Sequence, residues 1–111
     1  GQLEYKWQYL NGKQHGEQIE YRSQGIPIFR YNYLNGNKHG DQFDYYDNGE
    51  VRYKDQFLNG KLHGEQLEYF KNGKLRYKEY YIGGGKQVSE KEWLDYSKPQ
   101  HQTQFLTDLY V

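Results

Sequence analysis

The fold is decided by one stretch near the middle of the chain, Leu58-Asn59-Gly60-Lys61-Leu62-His63-Gly64-Glu65, followed shortly by Glu68-Tyr69-Phe70-Lys71-Asn72-Gly73-Lys74-Leu75. It holds two turn signals, Asn59-Gly60 and Asn72-Gly73, because Gly and Asn adopt cheaply the positive φ that tight hairpin turns need. Between the turns, apolar and polar residues alternate, as they do along a strand whose successive side chains point to opposite faces. The stretch therefore predicts a β-hairpin followed by a second turn.

This pattern recurs at a spacing of 24 residues, and Gly1 falls in the column of Gly25, Gly49 and Gly73, so we expect the chain to open halfway through a repeat. The repeated positions are Leu10-Asn11-Gly12, Leu34-Asn35-Gly36, Leu58-Asn59-Gly60 and Ile82-Gly83-Gly84, with His15-Gly16, His39-Gly40 and His63-Gly64. An array of this kind is quasi-one-dimensional, because each hairpin contacts mainly its neighbours. The predicted strands are Leu3–Leu10, Glu17–Arg22, Ile26–Leu34, Asp41–Tyr46, Glu50–Leu58, Glu65–Phe70 and Lys74–Ile82.

Alternation within the strands predicts one aromatic and one polar face. Leu67 and Tyr69 fall on one side of their strand, and Tyr77 on the next strand is expected to join them. On the opposite face, Gln and acidic residues of the first strand of each unit are expected to lie beside Arg and Lys of the second strand. That arrangement would explain why 15 basic residues balance 15 acidic residues.

Composition excludes several classes of protein. Only 34% of the 111 residues are hydrophobic and 19% are aromatic, which disfavours a helical bundle with an aliphatic core. Zero net charge provides no overall field for nucleic acid or an anionic bilayer. Without cysteine, the chain has no disulfides, thiolate metal sites or cysteine nucleophile. No apolar run approaches the roughly 20 residues of a membrane span, so we expect a soluble chain, with a cytoplasmic location favoured and a virion component as an alternative.

The tail after Gly85 leaves the repeat. Ser89 and Glu92 form a capping-box pattern, which predicts a short helix from Glu90 that ends before Pro99. A second amphipathic stretch follows at 103–110. The tail is expected to cap the last hairpin and cover the aromatic face; the alternative is that 105–111 docks on another chain.

The residues of the repeat, from Leu58-Asn59-Gly60-Lys61 to Asn72-Gly73-Lys74-Leu75, resemble the MORN repeat, in particular the variant of bacterial antitoxin-component proteins of the YwqK type. The resemblance covers roughly residues 1–85. It implies an all-β fold: an elongated antiparallel meander of stacked 24-residue MORN-type β-hairpins, here with a short C-terminal helical cap. The expected organisation is a repeat sheet at 1–85, made of a half repeat and three full repeats, and a helical capping or docking segment at 86–111. The family also implies scaffold and protein-binding roles.

The sequence gives no pattern typical of a catalytic or metal site. His15, His39 and His63 recur two strands apart, about 10 Å, which is too far for one shared metal. Their rings are therefore expected to pack or hydrogen-bond locally. Acidic residues recur as columns, whereas an active site needs one unusual place. We expect no enzyme activity, no cofactor and no metal.

Protein binding is the favoured function, as a non-catalytic binding or scaffold module with a protein partner. Two alternatives remain. The first is an antitoxin-like immunity protein that occupies a toxin. The second is a peripheral binder of anionic lipid or nucleic acid, although zero net charge disfavours both of these ligands. Self-association is a further expectation, because the strand at Leu3–Leu10 would leave one edge unpaired. The candidate partner-binding residues are Tyr46, Phe70 and Tyr80 on the polar face, the basic row of Arg30, Arg52 and Arg76 with Lys54 and Lys78, and Phe105 and Leu109 in the tail.

Overall fold

The computed structural model describes residues 4–22 and 24–98. Within them lie eleven strands and one helix. The strands are β1 (Glu4–Lys6), β2 (Tyr9–Leu10), β3 (Lys13–Gln14), β4 (Gly16–Tyr21), β5 (Pro27–Leu34), β6 (Asn37–Lys38), β7 (Gly40–Tyr45), β8 (Val51–Leu58), β9 (Lys61–Tyr69), β10 (Leu75–Ile82) and β11 (Lys86–Val88). The helix is α1 (Glu90–Tyr96), and its seven residues are too few to cross a membrane.

The predicted all-β meander is confirmed. The main sheet has nine antiparallel strands in the order β1-β4-β5-β7-β8-β9-β10-β11, with β6 paired to β5, and β2 and β3 form a separate hairpin. The strand predicted at Leu3–Leu10 is instead divided between β1 and β2 within its described part. The predicted strands also omitted the short strands β3, β6 and β11.

The first turn of each unit, at Asn11-Gly12, Asn35-Gly36 and Asn59-Gly60, is a two-residue hairpin loop, as predicted. Asn35 and Gly36 both have positive φ, 50° and 86°, which is the pattern of a type I′ turn. Leu34 pairs directly with Asn37 on the other side of the loop. Type I′ geometry matches the right-handed twist of the flanking strands, so this turn closes the hairpin without splaying it.

The second turn of each unit differs from the two-residue kind. Tyr46 and Glu50 flank a three-residue loop, in which the Gly49 N–H donates to Tyr46 O at 3.1 Å and the Tyr46 N–H donates to Glu50 O at 2.8 Å. Only the glycine of this loop has positive φ, 88°. Asn48 serves through its side chain, whose Oδ1 accepts from the Glu50 N–H at 2.9 Å.

Successive hairpin turns are joined through the repeat histidines. Nδ1 of His15 accepts from the Asn35 N–H of the next unit at 3.4 Å, and Nδ1 of His39 does the same for Asn59. His63 repeats the contact with the Gly83 N–H, again at 3.4 Å. The rings therefore dock each turn on the preceding unit, which is a contact between repeats and not one within a turn.

The register contradicts the predicted separation of aromatic and polar faces. Lys54 lies directly opposite Leu67, and Tyr53 directly opposite Glu68. Directly opposed residues of an antiparallel pair share a face, so aromatic side chains of one strand stand beside carboxylates of the next. We call this side the Tyr53 face and the other side the Lys54 face.

Bulges cause this reversal. Between β7 and β8, Tyr45 pairs with Val51 but Asp44 pairs with Tyr53, which leaves Arg52 as an extra residue. A shift of one residue moves every following side chain to the other face. The relative phase of neighbouring strands was therefore predicted wrongly. The alternation predicted within β8 fails at the bulge as well, because Val51 lies on the face opposite Tyr53.

Apolar burial is concentrated on the Lys54 face. Ile19 is 2% exposed and Leu67 is 8% exposed. Ile19 is flanked across the sheet by Lys6 and Arg30. Long basic side chains can lay their aliphatic stems over apolar neighbours while the charged ends reach water. The register places two such side chains beside Ile19.

On the Tyr53 face, a buried glutamine completes the sheet. Gln42 is 1% exposed, its Oε1 accepts from the Asn32 N–H at 2.9 Å and its Nε2 donates to Asn32 O at 2.9 Å. β5 and β7 pair directly only through Phe29 and Arg30. The Gln42 amide therefore supplies the backbone partners that β7 does not provide.

The C-terminal segment begins with a strand and continues as the predicted helix. β11 pairs with β10 across Gly83, Gly84 and Gly85, one residue longer than an Asn-Gly loop. The capping box is present: the Ser89 hydroxyl accepts from the Glu92 N–H at 3.1 Å. α1 packs on Tyr80 of the Lys54 face and so does not cover the aromatic face as predicted. The second predicted helical stretch, 103–110, lies outside the described residues.

Candidate functional site

The Tyr53 face carries a row of rings that repeats every second strand. Tyr5, Phe29, Tyr53 and Tyr77 each face a carboxylate on the neighbouring strand. Since strands lie about 4.8 Å apart, successive rings of the row are about 9.6 Å apart. Tyr5 and Tyr77 are 56% and 51% exposed. In order across the sheet, the row is Tyr5, Glu20, Phe29, Asp44, Tyr53, Glu68 and Tyr77.

Tyrosine hydroxyls hold the carboxylates of this face. Tyr31 donates to Asp44 at 2.6 Å, and burial together with this bond raises the pKa of Tyr31 well above its ordinary value. A hydrogen bond from Tyr53, followed by one from Arg76, lowers the pKa of Glu68. The carboxylate of Glu68 is therefore held in its charged form at neutral pH.

A second cluster of this kind lies at the β10 end of the face. Tyr77 and Tyr81 both donate to Glu79, the latter at 2.7 Å. The bond to Glu79, with a further contribution from burial, raises the pKa of Tyr81 to about 12. The same two bonds lower the pKa of Glu79. The pKa of Asp55 shifts in the opposite direction to that of Glu79, because burial raises it despite a hydrogen bond from Gln66.

An open groove of about 210 Å³ lies between two rings of the row. It is bounded by Tyr53 and Tyr77, and Glu68 lies between them with Gln66 and Leu67 beside it. A ring on each side and a carboxylate between them can receive a side chain that is both cationic and flat or aliphatic.

The Lys54 face carries a different set of side chains from the Tyr53 face. Basic side chains alternate with apolar ones across the strands, and Lys54 Nζ lies 5.9 Å from the centre of the Phe43 ring. Acidic residues flank the row, since Glu17 lies 3.3 Å from Lys6 and 3.7 Å from Arg30. The cations of this face are thus partly neutralised by their own chain. The row is Lys6, Ile19, Arg30, Phe43, Lys54, Leu67 and Lys78.

Four of the predicted partner-binding residues meet in two pairs along the edge formed by the three-residue loops. The Arg52 guanidinium lies 5.6 Å from the centre of the Tyr46 ring, and that of Arg76 lies 5.9 Å from the Phe70 ring. Phe70 is 47% exposed. Tyr46 also donates through its hydroxyl to Tyr69 O of the next unit at 2.6 Å, so its ring joins two repeats.

The predicted basic row is divided in the structure. Arg30 lies in the same row as Lys54, on the Lys54 face. Arg52 and Arg76 are bulge residues at the loop edge, where Arg76 also pairs with Glu68. The three arginines of the predicted basic row are therefore divided between the Lys54 face and the loop edge.

Tyr80 lies under the helix of its own chain. It is 6% exposed, and the Trp93 ring of α1 stacks on it at a centroid distance of 6.2 Å. His63 meets the same helix, edge-on to Trp93 and Tyr96. The position of Tyr80 on the face opposite Tyr77 was predicted, but its ring lies in a packed contact. Phe105 and Leu109 lie outside the described residues.

The sequence did not predict that the carboxylates of the Tyr53 face lie beside the aromatic rings. The alternation carries no signal for them, because the extra residues that shift the phase, Arg52 and Arg76, lie in the strands beyond the three-residue loops. As regards metals, residues 4–22 and 24–98 contain no group of three His, Asp or Glu side chains that could hold an ion.

Comparison with known proteins bears on two of the repeats. No curated protein shows a significant match to the chain. A family model does match two segments, each of which spans one pair of strands joined by a three-residue loop. Residues 38–59 and 62–82 match the MORN repeat variant.

Proposed function

We propose that this chain is a non-catalytic protein-binding module, which acts as a scaffold through the faces of its repeat sheet. The observation that carries the proposal is the row of rings on the Tyr53 face, which is left uncovered by α1. Tyrosine is enriched at protein interfaces, because its ring provides contact area at a small entropy cost and its hydroxyl can remain hydrogen-bonded. The match of two repeats to the MORN repeat variant supports the same class of role.

The charge distribution favours a protein over an anionic ligand. An anionic lipid or nucleic acid would need an uninterrupted cationic strip. Arg30 instead lies 3.7 Å from Glu17, and Arg76 pairs with Glu68. The rings of the Tyr53 face stand beside carboxylates, which would repel phosphates.

An antitoxin-like role is one form that protein binding could take, and the resemblance to bacterial antitoxin-component proteins is its support. The matched family model describes the repeat itself, so it favours binding of a protein without favouring a toxin as the partner. Photo-crosslinking identifies the partner independently of this resemblance.

Site-specific photo-crosslinking tests the proposal. A photoreactive phenylalanine is placed at Tyr77 on the Tyr53 face, and in a matched variant at Lys78 on the other face. We expect a discrete protein adduct from cells of the source with the Tyr77 probe and a weaker or absent one with the Lys78 probe. An adduct to lipid or nucleic acid, or equal adducts from both faces, would contradict the proposal.

A further inference from the structure

The repeat distance of the Tyr53 face matches a particular peptide conformation. A polyproline II helix advances 3.1 Å per residue with three residues per turn, or about 9.3 Å per turn. Rings two strands apart are about 9.6 Å apart. A polyproline II segment lying across the strands would therefore present one residue to each gap between rings, over several gaps in succession.

The chemistry of each gap selects the residue that would enter it. Glu20, Asp44 and Glu68 lie between successive rings of the row. Glu68 already accepts a guanidinium, that of Arg76, and the side chain of Glu68 is only 16% exposed. A carboxylate between two aromatic rings favours Arg or Lys at every third position of a ligand.

The other residues of such a ligand would contact the sides of the rings. Aromatic ridges bind proline well, because the polyproline II helix is already ordered and loses little entropy on binding. Tyr53 and Tyr77 bound the open groove of about 210 Å³ and provide two such ridges. Tyr77 is 51% exposed, so one ridge is available without rearrangement.

We propose that the Tyr53 face binds a proline-rich basic segment of a partner protein in the polyproline II conformation, with Arg or Lys at every third residue directed to Glu20, Asp44 and Glu68. This inference rests on the proposed protein-binding function and names the chemistry of the partner. In the free chain, Arg76 occupies the last of these carboxylates and is displaced by the ligand.

Fluorescence polarisation with defined peptides tests the proposal. The probes are three labelled 12-residue peptides: four repeats of Pro-Pro-Arg, of Gly-Ser-Arg and of Pro-Pro-Glu. We expect the Pro-Pro-Arg peptide to bind at least about tenfold more tightly than Gly-Ser-Arg, which has the same charge but no polyproline II order. Equal binding of the two basic peptides, or comparable binding of Pro-Pro-Glu, would overturn the proposal.

Three variants locate the binding face. Glu68→Gln and Tyr77→Ser should each weaken binding of the Pro-Pro-Arg peptide by about tenfold. Glu65→Gln, on the same strand but on the Lys54 face opposite Tyr80, is the matched control and should leave it unchanged. Tyr77 is exposed enough for its variant to fold, and circular dichroism checks each protein. Equal losses in all three variants, or none, would overturn the assignment to the Tyr53 face.

The Arg76→Gln variant distinguishes a basic ligand from an anionic one, because the two should respond in opposite directions. Removal of the competing guanidinium should tighten binding of the Pro-Pro-Arg peptide, whereas a ligand held by Arg76 would be lost. If the peptides fail to bind but the Tyr77 photo-crosslink still yields a protein adduct, the protein-binding function stands and the polyproline II inference fails. If the peptide binds but no adduct forms, the protein-binding function loses its support.

Discussion

At the scale of single residues, two glycines in the same column of the repeat do different work. Gly64 and Gly40 both follow a histidine and both have positive φ, 107° and 83°. A Cβ on Gly64 would overlap Gln56 Oε1, whereas a Cβ on Gly40 would meet nothing within 4 Å. Gln56 Oε1 accepts from the Glu65 N–H at 2.8 Å, so the side chain that fills the space above Gly64 also completes the backbone bonding.

Alanine at these positions should separate steric overlap from backbone strain. Gly40→Ala forces an alanine into the left-handed conformation without any steric overlap. It should lower the free energy of unfolding by about 1–2 kcal/mol. Gly64→Ala should cost about 3 kcal/mol, because it also displaces the Gln56 amide. Urea unfolding measures both values. Equal costs for the two variants, or full additivity of Gln56→Ala with Gly64→Ala, would contradict the steric overlap between a Cβ at residue 64 and Gln56.

The Tyr81–Glu79 pair predicts a loss of stability at high pH. Since the pKa of folded Tyr81 is raised to about 12, its contribution is complete below the ordinary tyrosine pKa near 10 and is lost as the pH rises from about 10 to 12. Ultraviolet titration of tyrosinate in the wild type and in Glu79→Gln measures the shift. Both Tyr81 and Tyr77 should titrate at lower pH in the variant, because Glu79 raises the pKa of each. An unchanged curve would contradict the assigned cause.

At the scale of elements, the last hairpin and the helix depend on one another. Trp93 stacks on Tyr80 and contacts His63 edge-on, so α1 closes the end of the repeat where the histidine column stops. Leu94, its neighbour in the helix, is 53% exposed. The helix is too short to be stable alone, and tertiary packing must hold it.

Replacement of these neighbours should give unequal effects. Trp93→Ala should destabilise the chain by about 2 kcal/mol, since it removes a large part-buried ring. Leu94→Ala should remain within about 0.5 kcal/mol. Urea unfolding followed by circular dichroism gives the values, and chymotrypsin should cut after Tyr80 faster in the first variant only. Equal stability of the two variants would show that the helix does not cover Tyr80.

Sequence alone predicted these elements unevenly, for physical reasons. The Asn35-Gly36 turn and the Ser89 capping box are local, since neighbouring residues fix both. The register depends on bulges at Arg52 and Arg76, where one extra residue reverses the phase without leaving a mark in the alternation. The candidate site was affected most, because which rings and carboxylates share a face depends entirely on that phase.

At the scale of the whole molecule, the sheet is held by contacts between successive units. Tyr46 reaches Tyr69 O, and Asn48 Nδ2 donates to Lys71 O at 3.0 Å. The histidines make the equivalent links at the other edge. Stability in such an array is approximately a sum of unit and neighbour terms, so units with two neighbours should be the most protected.

Hydrogen exchange should show this gradient. Amides of β8 and β9, which have partner strands on both sides, should exchange about 100-fold more slowly than those of β1, β2 and β3. Native-state exchange followed by mass spectrometry measures the ratio. Uniform protection along the sheet would instead indicate one cooperative unit, and full protection of β1 would support the predicted association through the first strand.

Rings and carboxylates share the Tyr53 face, while Leu67 lies among the basic side chains of the other face. Side-chain nuclear Overhauser effects of the isotope-labelled chain test this arrangement most directly. We expect contacts from the Leu67 methyls to the methylenes of Lys54 and Lys78, and from the Glu68 methylenes to the rings of Tyr53 and Tyr77. Contacts from the Leu67 methyls to those two rings, with Glu68 beside Lys54, would show the opposite phase and contradict the account.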